Sequence, residues 1–381
     1  MTRRHIAVIG KGLIGSAAAR HLAEAGNEVS LVGPDEPTDL RSHPGVFAAH
    51  YDAARITRCT DRDPHWAAWA AASISRYPDL EAQTGLRFHH PVGFLAAACG
   101  GSDLIEAMRA SVPGEPRPTP SDAARFFHLP LGARTLSENG PAGWIDPRRL
   151  VQAQTLAALA AGARVARLPV WALRTAADAV RLILDDGSEV RADRVLVCAG
   201  AFSGPVGLAP GLPLEANGRI VLLARVDAEL AAQWADMPSL IRVDLAADLP
   251  DIYLLPPVRY PDGAHYVKIG TGSIDHPLGD LESLQRWHRE PPVVDDAQRL
   301  ARALFELLPE LATAELRSDA CAVTLTKSGY PIIDWVEPGR VAVACGGNGK
   351  AAKSSDEIGR MAALFVTESL DDMALRRLLE P

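Results

Sequence analysis

The chain opens on a short apolar run, His5–Ile9, which gives way to glycines and then to an alanine-rich amphipathic stretch, Leu13–Ala25. This pattern predicts a buried strand followed by a helix, with Gly26-Asn27 as the helix stop and Glu28–Val32 as the next strand. Such a β-α-β opening belongs to a doubly wound fold. Pro34–Gly45 is a loop rich in Pro, Gly and Asp. Asp63-Pro64 starts a helix over His65–Arg76 that ends near Pro78. Asp146-Pro147 starts another over Asp146–Ala161, followed by Gly162 and a short strand, Ala163–Leu168. Asp185-Asp186-Gly187-Ser188, between Leu182–Leu184 and Glu189–Val190, predicts a hairpin. Val195–Cys198 is a buried strand running into Ala199-Gly200. The stretch from Leu214 to Ile274 is mostly strands, including Ile220–Val226, Ile252–Leu255 and His265–Ile269. Asp280–Leu308 is helical with a break at Pro291-Pro292, and the Pro-rich Ser111–Pro120 predicts a surface connection. Alternating β/α segments at both ends enclose a more antiparallel middle. The predicted fold is therefore α/β with two domains. A Rossmann-like nucleotide domain is assembled from residues 1–85, 145–205 and 315–381, and a mixed, mainly antiparallel substrate domain from 86–144 and 206–314 is inserted into it.

Composition narrows the class. A chain of 381 residues, 48% hydrophobic and 23% charged, can bury a large core and is neither disordered nor fibrous. The net charge of −8 is spread along the chain without a Lys/Arg run, so nucleic-acid binding is not expected. Cysteines 59, 99, 198, 321 and 345 form an odd, scattered set without a CxxC pair, which fits a reducing compartment. Ile6–Ala19 follows Arg3-Arg4 like a signal segment, but glycines punctuate it and it continues into the helix, so strand-turn-helix is the better reading. No apolar run reaches membrane-spanning length, and the expectation is a soluble, cytoplasmic monomer or small homo-oligomer. His89-His90 lacks partners at metal-ligand spacing, so no metal is expected; no Gly-x-Ser-x-Gly elbow marks a serine hydrolase.

The chemistry-bearing segments lie at the two ends and in the middle. Gly10-Lys11-Gly12-Leu13-Ile14-Gly15, between strand and helix, makes a tight turn. It lets backbone approach a pyrophosphate and places anions on the helix N-terminus. The acid that usually binds ribose at the end of the second strand is absent. Gly33 stands there and Asp35, two residues on, either takes over or is a solvated loop acid. Arg55 and Arg58, three apart on a helical turn or bent loop, can both turn a carboxylate-binding fork toward one cavity. Lys268 lies on an apolar strand, as either a snorkelling edge residue or a placed charge. Cys321 precedes Thr324-Leu325-Thr326 and Pro331-Ile332-Ile333-Asp334, and Gly346-Gly347-Asn348-Gly349 predicts a turn offering backbone N–H groups.

Over essentially its whole length the sequence resembles the FAD-dependent amine oxidases of the D-amino-acid oxidase superfamily, in the monomeric sarcosine oxidase and N-methyltryptophan oxidase branch. The markers are Gly10–Gly15, Arg55-Ile56-Thr57-Arg58, Val195–Phe202, Tyr266-Val267-Lys268-Ile269-Gly270 and Cys321–Asp334, in that order. The resemblance implies FAD held by Gly10, Gly12, Ile14, Gly15, Asp35, His50, Arg55, Val170, Ala199, Gly200, Gly347, Asn348, Gly349 and Lys353, and linked covalently through the Cys321 sulfur. Cys198 and Cys345 are core residues. The resemblance further gives Arg58, with Lys350 or Lys353, the substrate carboxylate, Tyr253 a place over the substrate, and Lys268 the positive charge beside the flavin where oxygen is reduced. Asn348 stands where the family has histidine, and gap placement leaves either Lys350 or Lys353 to face the active site.

What the resemblance implies is oxidation of a small secondary amino acid, a sarcosine-like N-methyl or N-carboxymethyl amine. The imine hydrolyses and molecular oxygen becomes hydrogen peroxide, the cofactor carrying the redox step. A second substrate carboxylate would need a further cation, and the extra lysine near residue 350 leaves room for one. The alternatives are a flavin dehydrogenase passing electrons to another acceptor and a non-catalytic FAD-binding subunit. An NAD-dependent dehydrogenase explains neither Cys321 nor the C-terminal glycine turn.

Overall fold

A computed structural model describes residues 4–111, 123–204, 207–290 and 294–368. Most of the Ser111–Pro120 connection and the Pro291-Pro292 break lie outside the described residues. The flanking segments are the separate helices Leu281–Arg289 and Val294–Leu307.

His5–Ile9 is central in a six-stranded sheet ordered Ile332–Glu337, Val341–Cys345, Arg194–Val197, His5–Ile9, Glu28–Val32, Arg164–Ala166. It runs parallel to both neighbours, pairing Val8 with Leu196 and with Leu31. Both faces are buried, which is why these strands read as continuous apolar runs rather than alternating ones. Ile6 and Val8 pack with Leu22, Ile358 and Met361 on one side. Ala7 and Ile9 pack with Val180, Leu182 and Leu184 of a three-stranded antiparallel sheet on the other. The helices Leu13–Glu24 and Ser355–Val366 cross at Gly359, where a Cβ would come within 2.6 Å of the Ala17 Cβ.

The second large sheet has eight strands. His276–Pro277, Glu215–Val226, His265–Gly270, Leu249–Arg259, Ser239–Ala246, Phe94–Ala98 and Arg134–Glu138 follow in order, and Leu316–Leu325 also pairs with Glu215–Val226. The predicted strands Ile220–Val226 and Ile252–Leu255 are parts of longer ones, Glu215–Val226 and Leu249–Arg259. Leu222, Leu254 and Ile269 pack against Leu300 and Leu304 of the helix Val294–Leu307, so one face of this sheet is a closed core. Register fixes the opposite face. Cys321 lies opposite Arg219, Lys268 lies between Leu223 and Leu255, Gly270 is opposite Tyr253, Tyr253 is opposite Ile241, and Ile241 is opposite Ala96. Side chains alternate with a period of two, so Cys321, Lys268, Tyr253 and Phe94 are all presented on that one face.

Candidate functional site

The glycine turn is built tightly. A Cβ on Gly15 would lie 1.8 Å from the Gly10 carbonyl oxygen, and one on Gly10, at φ +100°, would lie 2.3 Å from the Cys198 carbonyl oxygen. Both positions require glycine, and they press the turn against Cys198 and Ala199, which lead into the positive-φ Gly200. Gly12 faces free space, the nearest atom to a Cβ there being His50 Nδ1 at 3.8 Å. The helix Leu13–Glu24, which carries Ile14 in its first turn, has no side-chain cap and no acidic residue there, so its first N–H groups point at that space uncompensated. His50 Nδ1 is buried without a partner. Burial first, then the Arg148, Lys11 and Arg55 cations, lower the His50 pKa to about 3 and keep the ring neutral. Asp35 is engaged by Lys11 and Arg167, while Glu36 takes a two-pronged bond from Arg148 at 2.6 and 2.7 Å. Val170 starts the strand Val170–Thr175 and packs against the core beneath the sheet.

Arg55 and Arg58 go to different carboxylates. Arg55 pairs with Asp52 and donates to the Ala49 carbonyl at 3.0 Å. Lys268, 1% exposed, also pairs with Asp52 and donates to the Ala54 carbonyl at 2.9 Å. Tyr260 Oη donates to Asp52 Oδ1 at 2.9 Å, so one buried carboxylate collects two cations and a phenol. Burial, then the Arg55 charge, lowers the Lys268 pKa well below the ordinary lysine value. Lys268 Nζ lies 5.7 Å from the centre of the Tyr253 ring, whose hydroxyl sits over Gly270, where a Cβ would be 2.4 Å away.

The second cluster is centred on Asp61, 1% exposed. Arg58 reaches its Oδ2 at 3.1 Å, Lys353 reaches Oδ2 at 3.2 Å and Lys350 reaches Oδ1 at 3.3 Å. Both lysines therefore face the same carboxylate. Lys353 is 2% exposed, whereas the Lys350 side chain is 39% exposed. Burial works against the Asp61 charge, but Arg58, Lys353 and Lys350 outweigh it and hold the carboxyl well below its usual range. Burial and then Arg58 lower the Lys353 pKa to about 8, against the pull of Asp61. The walls are aromatic: Arg58 lies 5.4 Å from the Phe94 ring centre, and Lys350 and Lys353 lie 5.8 and 5.5 Å from a Trp66 ring centre. Glu138 fixes the loop between Arg58 and Asp61 by accepting from the Cys59 and Thr60 N–H groups at 2.7 and 2.9 Å.

Cys321 is partly buried on the strand Leu316–Leu325, and its carbonyl accepts from Trp287 Nε1 at 2.9 Å. Cys198 and Cys345 are buried in the core, where burial pushes both thiols up. The glycine turn is tied to the Cys321 strand: Gly347 N–H donates to Thr324 Oγ1 at 3.1 Å and Asn348 N–H to the Thr324 carbonyl at 2.7 Å. Asn348, at φ 49°, accepts from the Thr326 N–H at 2.9 Å and donates to the Gly346 carbonyl at 2.7 Å, so its amide is spent fastening the turn. Gly349 follows at φ +68°, with no atom within 4 Å of where a Cβ would stand.

Asp52 and Asp61 were not singled out from the sequence, although each stands three residues from its arginine. That spacing was the available signal. Among the described residues no group of three or more His, Cys, Asp or Glu side chains is placed to hold a metal. No described helix is long and apolar enough to cross a membrane.

A tight glycine turn on a parallel sheet, leading into an uncapped helix start, defines a dinucleotide-binding fold. The chain belongs to the DAO family of FAD-dependent oxidoreductases, which matches residues 5–364. It is 23% identical over 371 residues to the N-methyl-L-tryptophan oxidase of Yersinia pestis, covering 95% of this chain and 94% of that one. It is 28% identical over 255 residues to the tRNA 5-methylaminomethyl-2-thiouridine biosynthesis bifunctional protein MnmC of Cupriavidus metallidurans, covering 61% of this chain but only 36% of that protein. Among solved structures, fructosamine oxidase (Amadoriase II) of Aspergillus fumigatus shares the fold with a TM-score of 0.77 at 17% identity, over 100% of this chain and 90% of that one. The open form of NikD, an unusual amino acid oxidase, shares it with a TM-score of 0.73 at 19% identity, over 100% and 98%.

The residues present fit FAD. The uncapped helix start and open Gly12 suit a pyrophosphate, and the orphaned His50 Nδ1 faces the same space.

Proposed function

We propose that this protein oxidises a small secondary amino acid, with FAD bound along Gly10–Gly15 and tethered through Cys321, and with oxygen as electron acceptor. The convergence of Arg58, Lys350 and Lys353 on buried Asp61, above Phe94, carries the proposal. Phe94 shares its sheet face with Lys268, Tyr253 and Cys321. A substrate carboxylate anchored at that cluster leaves the amine over the sheet face, toward Lys268 and Cys321. FAD, held along Gly10–Gly15, would supply the two-electron redox chemistry by which the substrate carbon beside the amine nitrogen is oxidised to the imine level. The nitrogen loses one proton, and water adds to the imine to release the shortened amine and a carbonyl compound. Oxygen gains the two electrons and two protons and leaves as hydrogen peroxide.

The chain's part is orientation and charge. Arg58 and Lys353 fix the carboxylate, and the aromatic walls exclude water and strengthen those contacts. Lys268, anchored by Asp52 and the Ala54 carbonyl, supplies the cation that favours electron transfer to oxygen. By this proposal the cofactor domain comprises residues 1–85, 145–205 and 315–381, and the substrate domain 86–144 and 206–314.

One observation favours a second reading. Asp52 compensates Lys268, which weakens the positive field available to oxygen and suits a dehydrogenase. Aerobic turnover of N-methyl and N-carboxymethyl amino acids separates the two. One peroxide per carbonyl product is the expected result. Carbonyl product formed only with an added quinone or dye acceptor overturns the oxidase assignment.

A further inference from the structure

Three cations on one carboxylate leave a surplus of two positive charges at Asp61. Asp61 cannot absorb more. Its Oδ1 meets Lys350 and the Asp63 N–H, and its Oδ2 meets Arg58 and Lys353. The cations retain unused donors. Arg58 Nε is buried with no acceptor, and Lys353 Nζ, 3.2 Å from Asp61, is not aligned for a hydrogen bond with any atom. Buried charge against Trp66 and Phe94 is expensive unless it is paired and hydrogen-bonded, so these donors call for an anion.

One carboxylate completes the buried part, Arg58 and Lys353. It does not complete Lys350, which approaches Asp61 from its other oxygen and is the one cation of the three that opens widely to solvent. We infer, building on the amine-oxidation proposal, that the substrate carries two carboxylates. The first is held by Arg58 and Lys353, and the second is read by Lys350 at the mouth of the site. The substrate class is then a diacidic secondary amine, either an N-carboxymethyl amino acid or an N-methyl amino acid with an acidic side chain. Lys350 is the specificity-determining residue.

The test measures binding without turnover. Thiodiacetate, two carboxymethyl groups on sulfur, and (methylthio)acetate, which has one, resemble the amines but have no nitrogen to oxidise. Titrated calorimetrically into the flavin-loaded protein, thiodiacetate binds about tenfold or more tightly than (methylthio)acetate. Lys350→Met brings that ratio close to one, and Lys350→Arg preserves it, which separates charge recognition from a general loss of structure. In parallel, iminodiacetate shows a higher kcat/KM than N-methylglycine, and Lys350→Met collapses the preference. Equal binding of the two thioethers, or a preference that survives Lys350→Met, overturns the inference. If thiodiacetate is preferred through Lys350 but no secondary amine reduces the flavin, the diacid site stands and the amine-oxidation proposal falls.

Discussion

Arg55 and Arg58 stand three residues apart, yet each ends on its own buried aspartate, Asp52 and Asp61. The cations were legible in the sequence because arginine pairs and a lysine on an apolar strand stand out. The carboxylates were not, because a loop aspartate looks the same whether solvated or buried, and only tertiary packing buries it. Replacing Lys268 by Met removes a buried cation while keeping its volume. Reoxidation of the reduced enzyme by oxygen should slow by about 100-fold or more while anaerobic reduction by substrate continues, as stopped-flow absorbance will show. The pH dependence of anion binding follows from Lys353, whose pKa is lowered from 10.5 to about 8. The cation is present below that value and lost above it. Affinity for thiodiacetate, which has no titrating group in this range, should hold below pH 8 and weaken as pH rises through it. A flat profile from pH 6 to 10 would rule out Lys353 as the anion's partner.

Strands and helices differ in how plainly they were written. His5–Ile9, Glu28–Val32 and Arg194–Val197 are short apolar runs because both faces are buried, and their pattern alone marks them. Phe94–Ala98 ends in three alanines, which carry little strand preference, and only its place between Ser239–Ala246 and Arg134–Glu138 makes it a strand. Helix starts were clearer. Asp63 caps Pro64–Ser75 by accepting from the His65 and Trp66 N–H groups at 2.8 and 3.3 Å. That cap sets the helix carrying Trp66 beneath Lys350 and Lys353. Asp63→Ala should lower stability by about 1–2 kcal/mol in urea unfolding. In the opening turn, Gly15→Ala would drive a methyl into the Gly10 carbonyl, and the purified protein should be colourless although folded by circular dichroism.

At the scale of the whole molecule, the strand Leu316–Leu325 pairs with Glu215–Val226, which lies about a hundred residues earlier, and so places Cys321 on the same sheet as Lys268. That pairing sets the site, and no local pattern announces it. Order and spacing of modest motifs revealed the family, whereas strand register and the sharing of Asp61 by two lysines needed the folded chain. A flavin bonded to Cys321, as proposed, would tie the glycine turn at one end of the chain to a strand near the other. Cys321→Ser should release its yellow colour into the supernatant on acid precipitation, and its melting temperature should rise with added FAD, because reversible binding stabilises by mass action. The unaltered protein should keep its colour in the pellet and show no such dependence. The most direct test of amine oxidation by this fold is anaerobic mixing with secondary amino acids, following the visible absorbance of the oxidised flavin. An N-methyl or N-carboxymethyl amino acid should bleach the flavin rapidly at one equivalent per flavin. A flavin that stays yellow with every such amine would contradict amine oxidation.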